Sequence, residues 1–106
     1  MLSVTTDFIP GRSIETSLGI ARGSVVRARF IGRDFIAGLR NLVGGEVNEY
    51  TNLLAESREQ ALERMLLHAQ SLGADAVINV RFTSNTIMEG TAEMLAYGTA
   101  VTLTST

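Results

Sequence analysis

The sequence predicts an α+β fold of two layers, in which an antiparallel-rich sheet is covered by helices on one face. Two patterns lead to this prediction. Residues 48–72 repeat apolar side chains at helical spacing, whereas residues 75–88 and 91–103 alternate between two faces as strands do. With the segments before them, the order of elements is β-α-α-β-β, and the last two strands are close enough in sequence to form a hairpin.

Length and composition predict one domain over residues 1–106, with enough apolar residues for a modest core. The net charge of −2 provides no basic surface for nucleic acid. The chain has neither an apolar run of membrane-spanning length nor a signal-peptide pattern at its N-terminus. We therefore expect a cytoplasmic protein without membrane contact.

The side chains that most enzymes use are scarce. All nine basic residues are Arg, Cys is absent and His68 is the only His, which excludes Schiff-base, thiol and thiolate–zinc chemistry. The sequence shows no Ser-His-Asp, paired-carboxylate or phosphate-loop motif. We therefore do not expect an enzyme, and the sequence assigns no cofactor.

The N-terminal part of the chain is predicted to be extended. Leu2–Thr6 has the pattern of a short strand, Pro10-Gly11 marks a turn, and residues 13–31 alternate as a further strand. Gly19 and Gly23 fall within that alternation, which leaves two interpretations, a hairpin or bulges in one long bent strand. We favour the bent strand.

Two helices follow. Arg33–Val43 has one apolar face, begins near Asp34 and ends at Gly44-Gly45. Asn48 is placed to cap the long helix, and Gly73 is placed to end it. The apolar stripe of the long helix consists of Leu54, Ala61, Leu62, Met65, Ala69 and Leu72, and the opposite, solvated face consists of Glu56, Glu59, Glu63 and Gln70.

The last two strands each present two different faces, and Glu89-Gly90 supplies the turn between them. Helices on one side cover only one face, so we expect Val77 and the larger face of the second strand to meet another subunit. The predicted faces are Ala76, Ile78, Val80 and Phe82 against Val77, Asn79, Arg81 and Thr83 in the first strand, and Leu95, Tyr97, Thr99, Val101 and Leu103 against the small face Met94, Ala96, Gly98 and Ala100 in the second.

Arg58 interrupts the apolar stripe of the long helix, one turn after Leu54 and one turn before Leu62. A guanidinium keeps its proton, so a buried one needs a partner. Three interpretations are open: a packed stem with a solvated head, a fixed ion pair, or a ligand contact. We expect a buried ion pair with Asp34, Asp75 or a carboxylate of a neighbouring subunit.

Three further polar features have structural interpretations, which we favour. His68 lies beside the stripe and has no second His with which to build a metal site, so we expect it at the rim. Gly44-Gly45-Glu46, one turn after Arg40, either turns between two helices or binds an anion. A solvated acidic face, able to bind hard cations only loosely, is formed by Glu56, Glu59 and Glu63.

The order of several short segments resembles the YbjQ-like family of small bacterial and archaeal proteins. These segments are GSVVRA, RDFIAGLRNLVGG, SREQALERM, LGADAVINVRF and YGTAV, and they cover most of the chain. The resemblance implies a fold similar to the dodecin subunit, a pentameric ring and a candidate heavy-metal-binding role. Many members have a basic residue after the Gly pair, and Glu46 in its place argues against an anion site there. The recurring polar positions, which the resemblance implies as a ligand site, are Asp34, Arg40, Tyr50 and Arg58.

Together these features predict a homo-oligomeric binding module that holds a metal ion or small ligand between subunits. The alternative is a structural or interaction protein without ligand chemistry. A binding module would have a polar pocket around Arg40, Tyr50 and Arg58, whereas an interaction protein would expose a large apolar patch. Because heavy metals prefer thiolate and imidazole ligands, we expect at most loose cation binding.

Overall fold

A computed structural model describes residues 1–28, 48–88 and 91–105, with side chains described for residues 1–26, 54–88 and 91–105. The predicted α+β fold is confirmed, with one helix packed against a four-stranded mixed sheet of order β1-β3-β4-β2. The predicted helix Arg33–Val43 and the turn Glu89-Gly90 lie outside the described residues. The described elements are β1 (Leu2–Ser3), β2 (Ile14–Ala28), α1 (Asn48–Ser71), β3 (Ala76–Met88) and β4 (Thr91–Leu103).

The last strand, β4, is central in the sheet. It pairs antiparallel with β3 on one side, as the predicted hairpin requires, and antiparallel with β2 on the other. β1 adds to the outer side of β3 in parallel. The sheet is therefore antiparallel apart from the short β1 contact, which agrees with the predicted antiparallel-rich sheet.

Of the two interpretations of Gly19 and Gly23, the bent strand is confirmed and the hairpin is wrong. The pairing of β2 with β4 shifts between Ser17 and Gly19, and Gly19 has φ of +99°. Glycine adopts the left-handed backbone conformation of a bulge at little energetic cost, because it has no Cβ. The extra residue changes which side chains face the helix, so that Leu18 and Ala21 both contact the core under α1.

A second bulge changes the faces of β3. Asn79 has φ of +55°, and the pairing with β4 shifts just beyond Ile78. Asn is one of the few residues with a side chain that tolerates this conformation. The prediction that Val77 faces away from the helices is wrong, because Val77 is fully buried with Val80 under α1. Ala76 and Ile78 instead pack on the opposite face of the sheet.

The long helix begins at Asn48 and ends at Ser71, as predicted. Gly73 follows with φ of +84°, and the Ala74 N–H donates to the Ala69 carbonyl over 3.1 Å, which closes the last turn. Leu72, predicted in the stripe, is 37% exposed. Within the described part of the chain, no helix is both long and apolar enough to cross a membrane. The fully sheet-facing row of α1 is Ser57, Ala61, Met65 and Ala69.

The helix backbone lies directly on β2 at Gly23. A Cβ built at Gly23 would come within 2.5 Å of the Ala61 carbonyl oxygen and within 2.7 Å of the Arg64 carbonyl carbon. Only glycine allows this approach without displacing the helix. The predicted small face of β4 also lies beneath α1, where Ala96 and Ala100 are fully buried.

The N-terminal segment covers one end of the other sheet face. Ile9 is 6% exposed and packs with Ile78 and Val101, and Leu103 lies beside this cluster. The prediction that Val101 meets another subunit is therefore wrong, because the same chain buries it, whereas Leu103 is only partly buried. Tyr97, farther along β4, is 39% exposed.

Candidate functional site

Of the four residues that the resemblance implies for a ligand site, only Arg58 has a described side chain. Asp34 and Arg40 lie outside the described residues, as does the Gly44-Gly45-Glu46 segment. Tyr50 lies in the first turn of α1, and its side chain is outside the described part. That these four residues lie close together therefore stays a prediction.

Arg58 is exposed, so the prediction that it is buried is wrong for the isolated chain. Its pairing with Asp34, which lies outside the described residues, or with a neighbouring subunit stays a prediction. The sheet-facing row passes through Ser57, and the next residue is rotated by about 100° around the helix axis. Asp75, one of the expected partners, accepts the backbone N–H of Leu103 over 2.8 Å instead. Among the described side chains, Arg58 forms no ion pair.

The turn of α1 that contains Arg58 also borders a concavity of about 510 Å³. Two of its described lining residues are carboxylates, which attract cations through solvent. No group of three or more His, Asp or Glu side chains converges within residues 1–26, 54–88 and 91–105. The concavity therefore offers loose electrostatic attraction and no coordination site. Its described lining residues are Ala55, Glu56, Glu59 and Gln60.

Two side chains of α1 bind the backbone of β2. The Arg22 N–H donates to Nδ1 of His68 over 3.1 Å, and Nη1 of Arg64 donates to the Ser24 carbonyl oxygen over 2.6 Å. His68 and Arg64 are four residues apart, so they lie one above the other along one flank of the helix. We call these four residues the edge clamp.

The edge clamp acts on the outer edge of the sheet. Gly23 lies opposite Ala96 on β4. In an antiparallel ladder, residues alternately direct both backbone groups towards the partner strand and both away from it. The bonds to α1 show that the N–H of Arg22 and the carbonyl of Ser24 point away from β4. Without the edge clamp, both groups would need water or another chain.

Sequence reasoning placed His68 at the rim but missed both its partner and the role of Arg64. The available signal was their four-residue spacing beside the apolar stripe, combined with long polar side chains able to reach a strand edge. It also missed Ser57, which is 3% exposed and whose Oγ has no hydrogen-bond partner among the described residues. The four-residue spacing of Ser57 with Ala61 and Met65 would have placed it in the buried row.

At the edge of the sheet opposite to β2, β1 and the residues directly after it cover the outer edge of β3 only at its start. The Val80 N–H donates to the Val4 carbonyl over 3.0 Å. The Arg81 guanidinium then donates to the Thr5 carbonyl over 2.9 Å and to the Val80 carbonyl over 2.8 Å. Beyond Arg81, no described segment pairs with this edge of β3.

The same half of the hairpin exposes large apolar side chains. Phe82 is 43% exposed, Ile87 52% and Met88 63%. On the sheet face away from α1, Ile20 is 65% exposed and Val26 is 53% exposed. We call residues 82–88 the free edge, because they combine exposed apolar side chains with an outer backbone that no described segment covers.

Comparison with known proteins places the chain in a family. Residues 1–104 match a family described as "Putative heavy-metal-binding". The chain belongs to this YbjQ-like family. Family members named UPF0145 proteins include one from Methanosarcina acetivorans, 52% identical over 95% of both chains. Another, from Thermococcus kodakarensis, is 56% identical over 95% of this chain and 89% of its own.

A solved structure of low sequence similarity shares the family fold. It is a protein of unknown function from Pediococcus pentosaceus, assigned to the DUF74 family, with a TM-score of 0.66 and 14% identity. The superposition covers 98% of each chain. At this identity the likeness supports the fold alone, and it agrees with the α+β architecture described above.

The described residues do not fit the heavy-metal site that the family description suggests. Soft and borderline metals prefer thiolate and imidazole ligands. The chain has no Cys and one His, and Nδ1 of that His already accepts the Arg22 N–H. Elsewhere in the described part of the chain, no cluster of His, Asp and Glu compensates.

Proposed function

We propose that this chain is an interaction module that assembles with identical copies of itself. The observation that supports this function is the free edge, residues 82–88, where apolar side chains are exposed beside strand backbone that no described segment pairs with. None of the relatives named above carries the name of an enzyme, and their names assign no function. We therefore rank self-association above the ligand-binding alternative.

The elongated shape of the chain supports self-association, because the described part of an isolated copy leaves some of its sheet uncovered. Its radius of gyration is 17.2 Å and its extents are 56 × 26 × 16 Å. A compact domain of this length has a radius of gyration of about 13 Å. The excess length indicates a sheet that extends beyond its own helix, and surface of this kind is commonly buried by a second subunit.

The backbone pattern identifies the groups that a second copy would bind. The N–H and carbonyl of Val80 both point outward, since one bonds Val4 and the other accepts from Arg81. Alternation along the antiparallel ladder then directs the backbone groups of Phe82, Ser84 and Thr86 outward as well. These groups suit the addition of one more strand.

The free edge also lacks most of the features that usually prevent strand addition, and the register shift between Thr86 and Met88 lies at its far end. Natural edge strands carry Lys, other charges, Pro or bulges that discourage pairing. Phe82–Met88 reads FTSNTIM, with no charge and no Pro, and the nearby Arg81 is turned back onto Thr5. A second copy of this chain meets no like charge there, whereas a strongly charged partner gains nothing from this surface.

The number of subunits rests on the family resemblance, which implies a ring of five. A ring requires a head-to-tail contact, in which the free edge of one copy meets a different surface of the next. The exposed side chains of Ile20 and Val26 on β2 provide apolar surface for that purpose. Closure would remove exposed strand edges from the assembly.

A ligand held between subunits is the second candidate. Arg58 favours it, because its guanidinium is exposed and has no ion pair among the described side chains. In an assembly this cation would be available to a carboxylate of a neighbouring copy or to a bound anion. Loss of anion binding in Arg58→Ala, with subunit number unchanged, would support this second function.

Multi-angle light scattering at micromolar concentration tests self-association. We expect several times the 11.4 kDa subunit mass for the wild type. Ser84→Pro removes one outward N–H without removing a bond to β4, so it should reduce the mass to that of a monomer. Ser84→Ala, the matched control, keeps the N–H and should assemble as the wild type does.

Three results would count against this function. A monomeric wild type would exclude self-association altogether. An assembled wild type whose Ser84→Pro variant folds and keeps the same mass would exclude the free edge as the contact. If Ser84→Pro does not fold, rapid hydrogen exchange at the amides of Phe82, Ser84 and Thr86 in the assembled wild type would exclude it equally.

A further inference from the structure

We infer that His68 is a positioning residue that holds α1 to the outer edge of β2 as a neutral imidazole, and that binding a metal ion at this ring and closing the edge clamp exclude each other. The inference is independent of self-association. It concerns the only imidazole in the sequence, and since the chain has no Cys, this ring is the one side chain that a borderline metal such as zinc strongly prefers.

The hydrogen bond determines where the proton of the ring lies. The donor is a backbone N–H, that of Arg22, so Nδ1 of His68 must carry a lone pair. A neutral imidazole with an unprotonated Nδ1 has its proton on Nε2. The edge clamp therefore requires the Nε2–H tautomer, and the exposed nitrogen of the ring is a donor.

A metal ion needs the opposite arrangement. To bind a metal at Nε2, the neutral ring must give up the Nε2 proton and take one at Nδ1, so the number of ring protons is unchanged. Nδ1–H then faces the Arg22 N–H, and two donors meet where one acceptor stood. Coordination through Nδ1 displaces Arg22 directly. Either mode breaks the bond that the structure shows at 3.1 Å.

The surroundings of His68 make relaxation of this geometry difficult. One turn earlier on α1, Arg64 is bound to Ser24 over 2.6 Å, two residues farther along the same edge. Gly23, which lies between Arg22 and Ser24 on β2, is so close to the helix backbone at Ala61 that a Cβ would not fit. The helix therefore cannot slide along β2 to restore the hydrogen bond after the ring changes its tautomer.

Two substitutions separate the roles of the two ring nitrogens. Asn at position 68 places a carbonyl oxygen near the position of Nδ1 and removes Nε2, whereas Leu removes both. We expect the hydrogen-exchange protection of the Arg22 amide in His68→Asn to match that of the wild type. In His68→Leu it should fall about three- to tenfold, the usual effect of one hydrogen bond. Equal protection in Leu and wild type would overturn the inference.

Nitrogen NMR of the wild-type imidazole tests the tautomer without any substitution, and so does not depend on the variants folding. We expect an unprotonated Nδ1 and a protonated Nε2 at neutral pH, and the reverse assignment would overturn the inference. Zinc ion added to the protein should either leave the ring unbound or bind it with loss of Arg22 protection. Zinc bound at His68 with Arg22 still protected would refute mutual exclusion.

Discussion

Ser57 places a polar hydroxyl at a buried position where the neighbouring side chains are apolar. Its Oγ is buried on the sheet-facing row of α1 without a hydrogen-bond partner in the described part of the chain, and the rest of that row is apolar. A buried hydroxyl without a partner costs about 1–3 kcal/mol of stability. The row packs by size, and serine is accepted there because it is nearly as small as alanine.

Ser57→Ala should therefore stabilise the fold by about 1 kcal/mol, since it removes the unpaired atom and also raises helix propensity. Denaturant unfolding measures the change. Ser71→Ala is the matched control on the same helix, because Ser71 Oγ donates to the His68 carbonyl over 2.6 Å and its loss should not stabilise. A loss of stability in Ser57→Ala would indicate that the hydroxyl has a partner in solution.

The structural role that periodicity suggested for Arg58 belongs to Arg64, the other arginine of α1. The sequence indicates that Arg58 is the structural one, whereas the structure gives that role to Arg64, which binds Ser24. Arg64→Ala should lower the free energy of unfolding by about 1 kcal/mol, below the usual value for a charged donor because the bond is exposed. Arg58→Ala should leave the unfolding of the isolated subunit nearly unchanged.

Thermal unfolding of the Ser84→Pro background, in which subunits should be separate, compares the two arginine variants without assembly effects. A larger loss in Arg58→Ala than in Arg64→Ala would contradict the assignment. If Arg58→Ala alters only the assembled wild type, the residue acts between subunits, as the second candidate function requires.

At the scale of elements, the contact of α1 with β2 depends on Gly23. A methyl group there would overlap the backbone of α1 at Ala61 and Arg64, which no rotamer change relieves. Gly19 also lies in β2, but its surroundings are open and its constraint is the left-handed φ. The two glycines therefore serve different purposes in one strand.

Gly23→Ala should destabilise the protein by about 3 kcal/mol, at the upper end for an overpacked core, because helix and strand must separate. Gly19→Ala should cost about 1–2 kcal/mol, from backbone strain alone. Urea unfolding with both variants tests the order. A smaller loss in Gly23→Ala than in Gly19→Ala would show that α1 is free to move away from β2.

The elements themselves were well predicted from sequence, and the faces of the strands less well. The bounds of α1, the β3–β4 hairpin and the small face of β4 follow from periodicity and glycine positions, which are local signals. The bulges at Gly19 and Asn79 are set by pairing with β4, and each reverses the alternation beyond it. Val77 was assigned to the wrong face for that reason.

The candidate site was harder to predict because its decisive groups are main-chain atoms. No side-chain pattern shows that the N–H of Arg22 points away from β4 or that the helix flank reaches it. For the same reason Arg58, the residue that stands out by periodicity, has less structural importance in the described chain than Arg64 and His68. Asp34, Arg40 and Tyr50 stay predictions.

At the scale of the whole molecule, the proposed assembly predicts that stability depends on concentration. Partners that bind only the folded state raise the unfolding temperature as protein concentration rises. Scanning calorimetry of the wild type over a hundredfold range should show this increase. Ser84→Pro should show none, and a concentration-independent wild type would indicate that no subunit contact stabilises the fold.

The central place of β4 has a consequence for the timing of folding. Ile14 pairs with Leu103 across almost the whole described chain, and β3 also borders β4. During synthesis β2 must therefore wait for the last strand to emerge before it gains its neighbour, while α1 and β3 are already complete. Long-range pairing of this kind slows folding and prolongs the exposure of unpaired strands. A nascent chain stalled before residue 91 should therefore bind chaperones that the finished chain does not.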